Sequence, residues 1–170
     1  MSERISGGLQ KIRKVADYQF GGGVGERLFP DGVDIVFSRR TGKIRHIYLH
    51  GQLLATLKPT DGLFSLTTSG AKRLLETVQP KRIWVQVQDE AVPFVEKGHD
   101  VFAKHVAGAD EEIRPGEEVI VLDRGNRVIA VGRATLSGEE MKEFNRGVAV
   151  RVRKGDLEKV KKDKATLVDK

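Results

Sequence analysis

The hydrophobic pattern in the first half of the chain predicts a helix, four short strands and a second helix. Apolar residues at helical spacing predict a helix over residues 8–17. Stretches rich in β-forming residues follow and are separated by glycine-containing turns, at residues 33–37, 44–49, 53–57 and 63–67. Thr68 or Ser69 can cap the second helix, and Pro80 ends it. This order predicts a helix–β-meander–helix domain over residues 1–80.

The second half has the pattern of a separate β-rich domain, over residues 81–155. Five strands are predicted, at residues 83–87, 101–106, 119–122, 128–136 and 148–152. A short helix at residues 89–97 separates the first two strands, and Gly98 is a suitable C-cap for it. Ser137 opens a second short helix with a capping box, and we expect Met141 and Phe144 to be buried there. So many short strands favour a small closed or half-closed barrel.

Glycines mark two further features of the pattern. Gly132, inside the longest predicted strand, indicates a bulge or a close approach of another backbone. The cluster at residues 21–25 is interpreted as a flexible hinge or as a backbone approach to another domain. It does not form a dinucleotide-binding fingerprint, because Glu26 stands where a third glycine is needed. The predicted fold class is α+β, with a small mixed domain, a β pseudo-barrel and a charged C-terminal tail over residues 156–170.

The composition of the 170-residue chain narrows the classes of protein to which it can belong. The absence of cysteine excludes disulfides, a thiol nucleophile and cysteine-bound zinc or iron–sulfur sites. No run of consecutive apolar residues exceeds four, so no membrane-spanning helix and no membrane partner is predicted. The first residues lack the apolar core of a signal peptide, and we therefore expect a cytoplasmic protein.

The formal net charge of +6 is unevenly distributed along the chain. Residues 1–80 hold 12 Lys and Arg against 7 Asp and Glu, whereas residues 81–170 hold 18 against 17. The excess in the first half falls on the first helix and the first hairpin, at Lys11, Arg13, Lys14, Arg39, Arg40, Lys43 and Arg45. We predict that Arg39, Arg40 and Lys43 at the hairpin tip bind phosphates, and a solvated turn without a ligand is the alternative.

The sequence contains no motif or residue spacing that is typical of a catalytic or metal site. His46 and His50 fall on a predicted strand and the turn after it, which separates their side chains too widely for a shared metal ion. The paired glutamates are adjacent in sequence and therefore diverge, and no Gly-x-Ser-x-Gly motif occurs. We predict no catalytic residues, no metal and no cofactor.

The stretch from Lys81 to about Gly155 resembles the PUA domain, the RNA-binding module of pseudouridine synthases and archaeosine transglycosylases. The resemblance lies in short motifs that occur in the right order, at residues 93–104, 114–119, 130–134 and 141–150. The first half is similar to the domain that precedes PUA in the archaeal tRNA-guanine transglycosylase. Two runs carry that similarity, residues 16–21 and the Leu28-Phe29-Pro30 step.

The resemblance implies an archaeal protein that binds RNA through its PUA domain. The family enzyme exchanges a base in tRNA with a barrel domain that carries catalytic aspartates and a cysteine-bound zinc. This chain has no cysteine, and the resemblance leads us to expect that it begins after the point where such a barrel would end. The expected function is therefore tRNA binding through the PUA domain, without catalysis.

The loop after the predicted helix at 89–97 is the expected RNA contact, because the resemblance places it against RNA. The residues assigned to RNA binding in this domain are Lys97, Gly98, His99, Val101, Phe102, Lys104, Arg133 and Arg151. Lysines can neutralise phosphates, and His99 can bond to or stack on an unpaired base. Gly98 lets a ligand approach the main chain. Phe102 is assigned preferentially to the core, with a base-facing position as the alternative, and Asp100 is expected to order the loop.

Two other functions remain open at this point. The chain can be an accessory subunit that presents tRNA to a separately encoded transglycosylase or other tRNA modification enzyme. Residues 1–80 would then carry an exposed apolar patch for the partner enzyme. An enzyme with an unrecognised site is the third hypothesis, and it requires a cluster of titratable groups that the sequence does not offer.

Overall fold

The computed structural model describes residues 3–77 and 81–158. The chain divides into two compact units, Met1–Arg82 and Ile83–Lys170. The described helices include none that combines the length and apolar character needed to cross a membrane. The predicted end of the second helix at Pro80, and most of the predicted tail, lie outside the described residues.

The first unit contains three helices and one antiparallel sheet whose strands lie side by side in chain order. Its elements are α1 (Glu3–Phe20), α2 (Val24–Leu28), β1 (Asp34–Phe37), β2 (Ile44–Leu49), β3 (Gln52–Leu57), β4 (Phe64–Leu66) and α3 (Thr68–Thr77). Helix α1 is longer at both ends than the predicted helix over residues 8–17. Its buried stripe includes Ile12, Ala16 and Phe20, which follow the helical spacing of the sequence.

Polar side chains near the C-terminal end of α1 bind the sheet and helix α2. The side-chain amide of Gln19 donates to the main-chain oxygen of Phe64 at 2.9 Å and accepts from its N–H at 2.7 Å. Asp17 Oδ1 accepts a hydrogen bond from the Gly25 N–H at 2.7 Å. Phe29 packs on Phe64 with ring centroids 5.1 Å apart. The runs 16–21 and 28–30 thus serve mainly to assemble this unit.

Gly25 shows that one of the two interpretations of the glycine cluster, a backbone approach to another domain, is wrong. A Cβ at Gly25 would overlap the main chain of Arg13, so only glycine allows α2 to approach α1 this closely. The approach is made within the first unit, and α2 begins inside the cluster, so the expected approach to another domain is wrong. The cap of α3 also differs from the prediction: Thr67 Oγ1 accepts from the Gly70 N–H at 3.0 Å.

The second unit is a six-stranded mixed sheet that forms a nearly closed barrel. Its elements are β5 (Trp84–Val87), α4 (Val92–Val95), β6 (Val101–Phe102), β7 (Val106–Ala109), β8 (Glu118–Leu122), β9 (Val128–Ala134), α5 (Gly138–Glu143) and β10 (Val148–Gly155). The strand order is β6-β10-β9-β8-β5-β7, in which β5 and β8 pair in parallel. The predicted α+β fold class is confirmed.

The strand predicted over residues 101–106 is wrong in one instructive respect. A 3₁₀ turn at Ala103–His105 divides it into β6 and β7. These two strands lie at opposite ends of the sheet order, β6 beside β10 and β7 beside β5. The turn therefore carries the chain from one edge of the sheet to the other, which a continuous strand could not do.

The second short helix follows its predicted start but not its predicted burial pattern. Ser137 and Glu140 form the expected capping box, and Met141 is fully buried. Phe144 is 43% exposed, so its predicted burial is wrong. It follows the last helical residue with an extended backbone, φ −81° and ψ 140°, and so leaves the helix face that Met141 occupies.

Gly132 provides a test of the barrel packing. A Cβ at this position would overlap the main-chain oxygen of Arg151 on the neighbouring strand β10. We expect Gly132→Ala to lower the free energy of unfolding of the second unit by roughly 1–3 kcal/mol, as overpacking does in other cores. Denaturation followed by fluorescence of Trp84, the only tryptophan of the chain, measures this unit.

Gly125→Ala, in the turn between β8 and β9, is the matched control. A Cβ there meets Asp123 Oδ1 at 3.4 Å, and the backbone is not in the left-handed region. Its unfolding midpoint should stay near that of the parent chain. Equal stability of the Gly132→Ala variant and the parent would contradict the close approach of β9 and β10.

Candidate nucleic-acid interface

The chain reverses direction at Gly98, directly after helix α4. The Gly98 N–H donates to the Val95 oxygen at 3.0 Å, and the His99 N–H donates to the Phe94 oxygen at 3.1 Å. Gly98 has φ 105°, a backbone conformation that side chains with a Cβ rarely adopt. The result is a tight turn with Lys97 and His99 exposed on either side of the glycine.

Side chains on both sides of the turn hold it in place. Asp100 Oδ1 accepts from the Val152 N–H on β10 at 3.0 Å, which gives Asp100 the ordering role expected for it. The Arg127 guanidinium lies 3.0 Å from a Glu96 carboxylate oxygen and 3.1 Å from that of Asp123. The hydrogen bond from Arg127 to Glu96 raises the pKa of Arg127, with a further contribution from Asp123. The turn is therefore anchored to β10 and to the β8–β9 hairpin.

Two aromatic pairs accompany the turn. Phe94 is 61% exposed and lies edge-on to His99, with ring centroids 6.2 Å apart. Phe102 is 45% exposed and lies edge-on to His105 at 6.4 Å. Sequence reasoning did not include Phe94 or His105 in the site. Val95, the neighbour of Phe94 on the short helix α4, is the residue of this helix that is buried.

The structure separates the predicted loop residues into surface and core. Lys97, His99 and Lys104 are exposed. Phe102 is also exposed, so the preference for a core position is wrong, and the alternative, a base-facing position, stays a prediction. Val101 is 1% exposed and pairs with Val150 of β10, which corrects its assignment to RNA binding. Its side chain is part of the barrel core and is closed to a ligand.

The two predicted arginines on the strands lie directly opposite each other. Arg133 on β9 and Arg151 on β10 are cross-strand partners, and both are exposed. Arg151 Nη1 lies 3.9 Å from Asp100 Oδ2, which places this arginine pair beside the Gly98 turn. Arg153, two residues further on, instead forms a two-point ion pair with the buried carboxylate of Glu118. Arg133 and Arg151 thus supply cationic surface, whereas Arg153 stabilises the sheet.

An acidic side chain lies against the main chain at Gly98. A Cβ at Gly98 would overlap Oε2 of Glu158, and the same oxygen accepts from the Gly155 N–H at 3.3 Å. The sequence analysis expected a phosphate or a base to approach this face of Gly98. A carboxylate oxygen therefore occupies the space in which an RNA phosphate is expected.

The basic residues of the first unit fall into two groups. Arg13 Nε donates to the Phe29 oxygen at 2.8 Å and its Nη2 pairs with Asp31 at 3.0 Å, which assigns Arg13 to the packing of α2. Arg39, Arg40 and Lys43 are exposed in the β1–β2 turn. Arg40 and Lys43 line a surface cavity, and Arg39 is not among the residues that line it.

Within residues 3–77 and 81–158, no three His, Asp or Glu side chains form a group that could hold a metal ion. His46 Nδ1 lies 3.0 Å from Thr56 Oγ1 across the β2–β3 pair. Burial lowers the pKa of His46, and the charge of Arg45 lowers it further. The neutral imidazole is consistent with a packing role for His46 in this sheet.

Comparison with known families identifies both units. Residues 83–155 match the PUA domain, an RNA-binding module, and this part of the chain is a PUA domain. Residues 10–81 match the family described as the patch-forming domain C2 of tRNA-guanine transglycosylase. The chain thus consists of a C2 domain of this kind followed by a PUA domain, which confirms the resemblance found in the sequence.

The curated relatives that match this chain are much longer proteins. The tRNA-guanine(15) transglycosylase of Methanothermobacter thermautotrophicus is 46% identical over 147 residues, which are 86% of this chain and 22% of that protein. The enzyme of the same name from Thermococcus kodakarensis is 46% identical over 144 residues, 85% of this chain and 24% of that protein. The chain thus spans about a quarter of the length of the curated relatives that it matches.

Two solved structures resemble the fold over nearly their whole length. A hypothetical protein of Pyrococcus horikoshii OT3 superposes with a TM-score of 0.71 at 24% identity, covering 91% of this chain and 95% of that one. A conserved PUA domain protein of Thermoplasma acidophilum gives 0.65 at 20% identity, covering 91% of both chains. At these identities the likeness shows the fold alone.

Proposed function

We propose that this chain binds tRNA through the surface around Gly98, without catalysing a reaction. The observation that carries the proposal is the anchored turn at Gly98, which exposes Lys97 and His99 next to the aromatic side chains of Phe94 and Phe102. We call this surface, together with Lys104, Arg133 and Arg151, the Gly98 surface.

The chemistry of the Gly98 surface suits RNA with unpaired nucleotides. Proteins that read RNA sequence-specifically mostly stack splayed bases on aromatic side chains, and each stacked base contributes about 1–3 kcal/mol. Phe94 and Phe102 offer exposed rings for this contact. Lys97, Lys104, Arg133 and Arg151 are exposed cations that can neutralise RNA phosphates.

The choice of tRNA rests on the relatives. Proteins named tRNA-guanine(15) transglycosylase match the chain at 46% identity across both domains. The matching segments comprise the C2 and PUA domains and no more of those enzymes, so the proposal gives the chain a binding role and no chemistry. A cytoplasmic location, expected from the sequence, is part of the proposal because tRNA is handled there.

The alternative of a tRNA-presenting subunit predicted an exposed apolar patch in the first unit. The large hydrophobic side chains exposed in its described part are Ile5, Tyr18 and Val36. Ile5 and Tyr18 are separated by about 20 Å along helix α1, given the rise of 1.5 Å per residue. They do not combine into one patch, and we therefore favour binding of tRNA by the chain itself.

Affinity for tRNA should fall steeply as the salt concentration rises. The double variant Lys97→Glu, Lys104→Glu is expected to bind roughly tenfold more weakly, because two phosphate contacts become repulsive. The slope of log affinity against log salt should decrease by about 0.7–0.9 for each phosphate that the variant no longer neutralises. Fluorescence anisotropy with labelled total tRNA measures both quantities.

The variant Lys14→Glu, Lys142→Glu controls for net charge, since it changes the charge by the same amount at other exposed positions. It should keep most of the parent affinity. If both double variants bind tRNA equally well, the Gly98 surface is not the contact; if the parent chain shows no salt-dependent binding, the proposed function is wrong.

Removing the negative charge beside Gly98 should strengthen binding. Glu158→Gln keeps the shape of the side chain, and we expect about a twofold to fivefold gain in tRNA affinity at low salt, the range of a single exposed charge interaction. Glu112→Gln, at an exposed carboxylate outside the Gly98 surface, is the control and should change the affinity little. A fall in affinity in Glu158→Gln would show that the carboxylate helps to form the site.

A further inference from the structure

A cavity of about 400 Å³ opens on the first unit between helix α1 and two turns of the sheet. It is lined by residues of α1, of the β1–β2 turn with the start of β2, and of the β3–β4 turn. We call it the basic cavity. Its volume is in the range of sites that hold a small organic ligand, about 300–1,000 Å³, and exceeds what an inorganic anion fills.

The rim of the basic cavity is strongly cationic. Five of its lining residues are basic, namely Lys11, Arg40, Lys43, Arg45 and Lys58. Its lining residues include no Asp or Glu from the part of the chain that the structure describes. Cations gathered from three chain segments repel each other, and a bound anion relieves that repulsion.

Three of these cations are available for a ligand. Arg45 donates to the Leu57 oxygen at 3.3 Å, and Lys58 pairs with Asp61 at 3.1 Å. Across residues 3–77 and 81–158, Lys11, Arg40 and Lys43 have no carboxylate within 4.0 Å. All three line the same cavity, so each can contact a ligand bound there.

The floor of the basic cavity is apolar. Val15 of α1, Ile44 of β2 and Leu57 of β3 contribute aliphatic surface beneath the cationic rim. The hydroxyls of Ser38 and Thr41 also line it, and each accepts a main-chain N–H at 3.3 Å while its own hydrogen remains able to donate. The combination suits a ligand with a phosphate at one end and a flat, weakly polar body.

The turn that carries Arg40 and Lys43 is held in place before any ligand binds. Its main chain closes with the Ser38 N–H on the Lys43 oxygen at 2.7 Å and the Gly42 N–H on the Ser38 oxygen at 2.8 Å. The guanidinium of Arg4 covers the Phe37 ring at 3.9 Å from its centroid. A preformed turn reduces the ordering cost of binding.

From this geometry we propose that the basic cavity binds one nucleotide unit. Its phosphate lies among Lys11, Arg40 and Lys43, and its sugar and base lie on the aliphatic floor. The unit can be a nucleotide of a bound RNA strand or a free nucleoside monophosphate, which share this chemistry. The inference is independent of the Gly98 surface, although its RNA form rests on the proposed function.

Titration of the ¹⁵N-labelled full chain, followed by its amide resonances, tests the inference. The probes are adenosine 5′-monophosphate, inorganic phosphate and a short single-stranded RNA. We expect the monophosphate to shift amides of residues 38–45 and 57–62 at millimolar concentration. Inorganic phosphate should bind at least about tenfold more weakly, equivalent to about 1.4 kcal/mol, because it has no base or sugar to lie on the floor.

Paired variants locate the site. Arg40→Ala with Lys43→Ala should abolish the shifts caused by the monophosphate, whereas Lys14→Ala with Arg39→Ala, which removes the same charge from exposed positions outside the lining, should preserve them. An unchanged pattern for the other amides shows that both variants are folded.

The outcomes separate this inference from the proposed function. RNA that shifts the same amides and competes with the monophosphate identifies an RNA nucleotide as the ligand. A response to the monophosphate but not to RNA identifies a free nucleotide, and this result stands even if tRNA binding fails. The inference is overturned if neither the monophosphate nor the RNA shifts the amides of residues 38–45 or 57–62. It is also overturned if inorganic phosphate binds as tightly as the monophosphate. Neither result bears on the Gly98 surface.

Discussion

The left-handed backbone at Gly98 is the constraint on which the RNA-binding surface depends. Helix α4 ends at Val95, Gly98 turns the chain with φ 105°, and strand β6 begins at Val101. Any residue with a Cβ is strained in that conformation, so the turn requires glycine for its backbone and not only for access of a ligand. Asp100 and Glu96 then fix the turn to β10 and to Arg127, and the exposed side chains follow from this framework.

Helices and caps that are defined by residues close together in the sequence could be predicted. The pairing and the ends of the strands could not. The amphipathic stripe of α1, the capping box at Ser137 and the C-cap at Gly98 are set by neighbouring residues, and the structure contains all three. Ala103–His105 has no comparable signal, because its apolar and polar residues also fit a continuous strand. Alternation places Phe102 on the face opposite to Val101 and Ala103 but does not say which face is the core, and the structure buries the two smaller neighbours and exposes Phe102.

Parts of the candidate surfaces depend on contacts between distant segments. The pairing of Arg133 with Arg151 across two strands depends on the strand register. The position of the Glu158 carboxylate against Gly98 depends on the course of the chain after β10. The basic residues of the first half show the same limit: Arg13 and Arg73 donate to main-chain oxygens around α2, whereas Arg40 and Lys43 face a cavity. These four basic residues carry the same charge in the sequence. Only the fold shows that two of them pack against main-chain oxygens and two line a cavity.

The most direct test of the account is to map where tRNA touches the chain. Ultraviolet cross-linking of the full chain to tRNA, followed by mass spectrometry of the linked peptides, reports contacts between bases and side chains without any substitution. The account predicts cross-links within the PUA domain at Phe94, His99 or Phe102, the exposed aromatic residues of the Gly98 surface. Cross-links in the PUA domain that all fall outside residues 92–105 would contradict it.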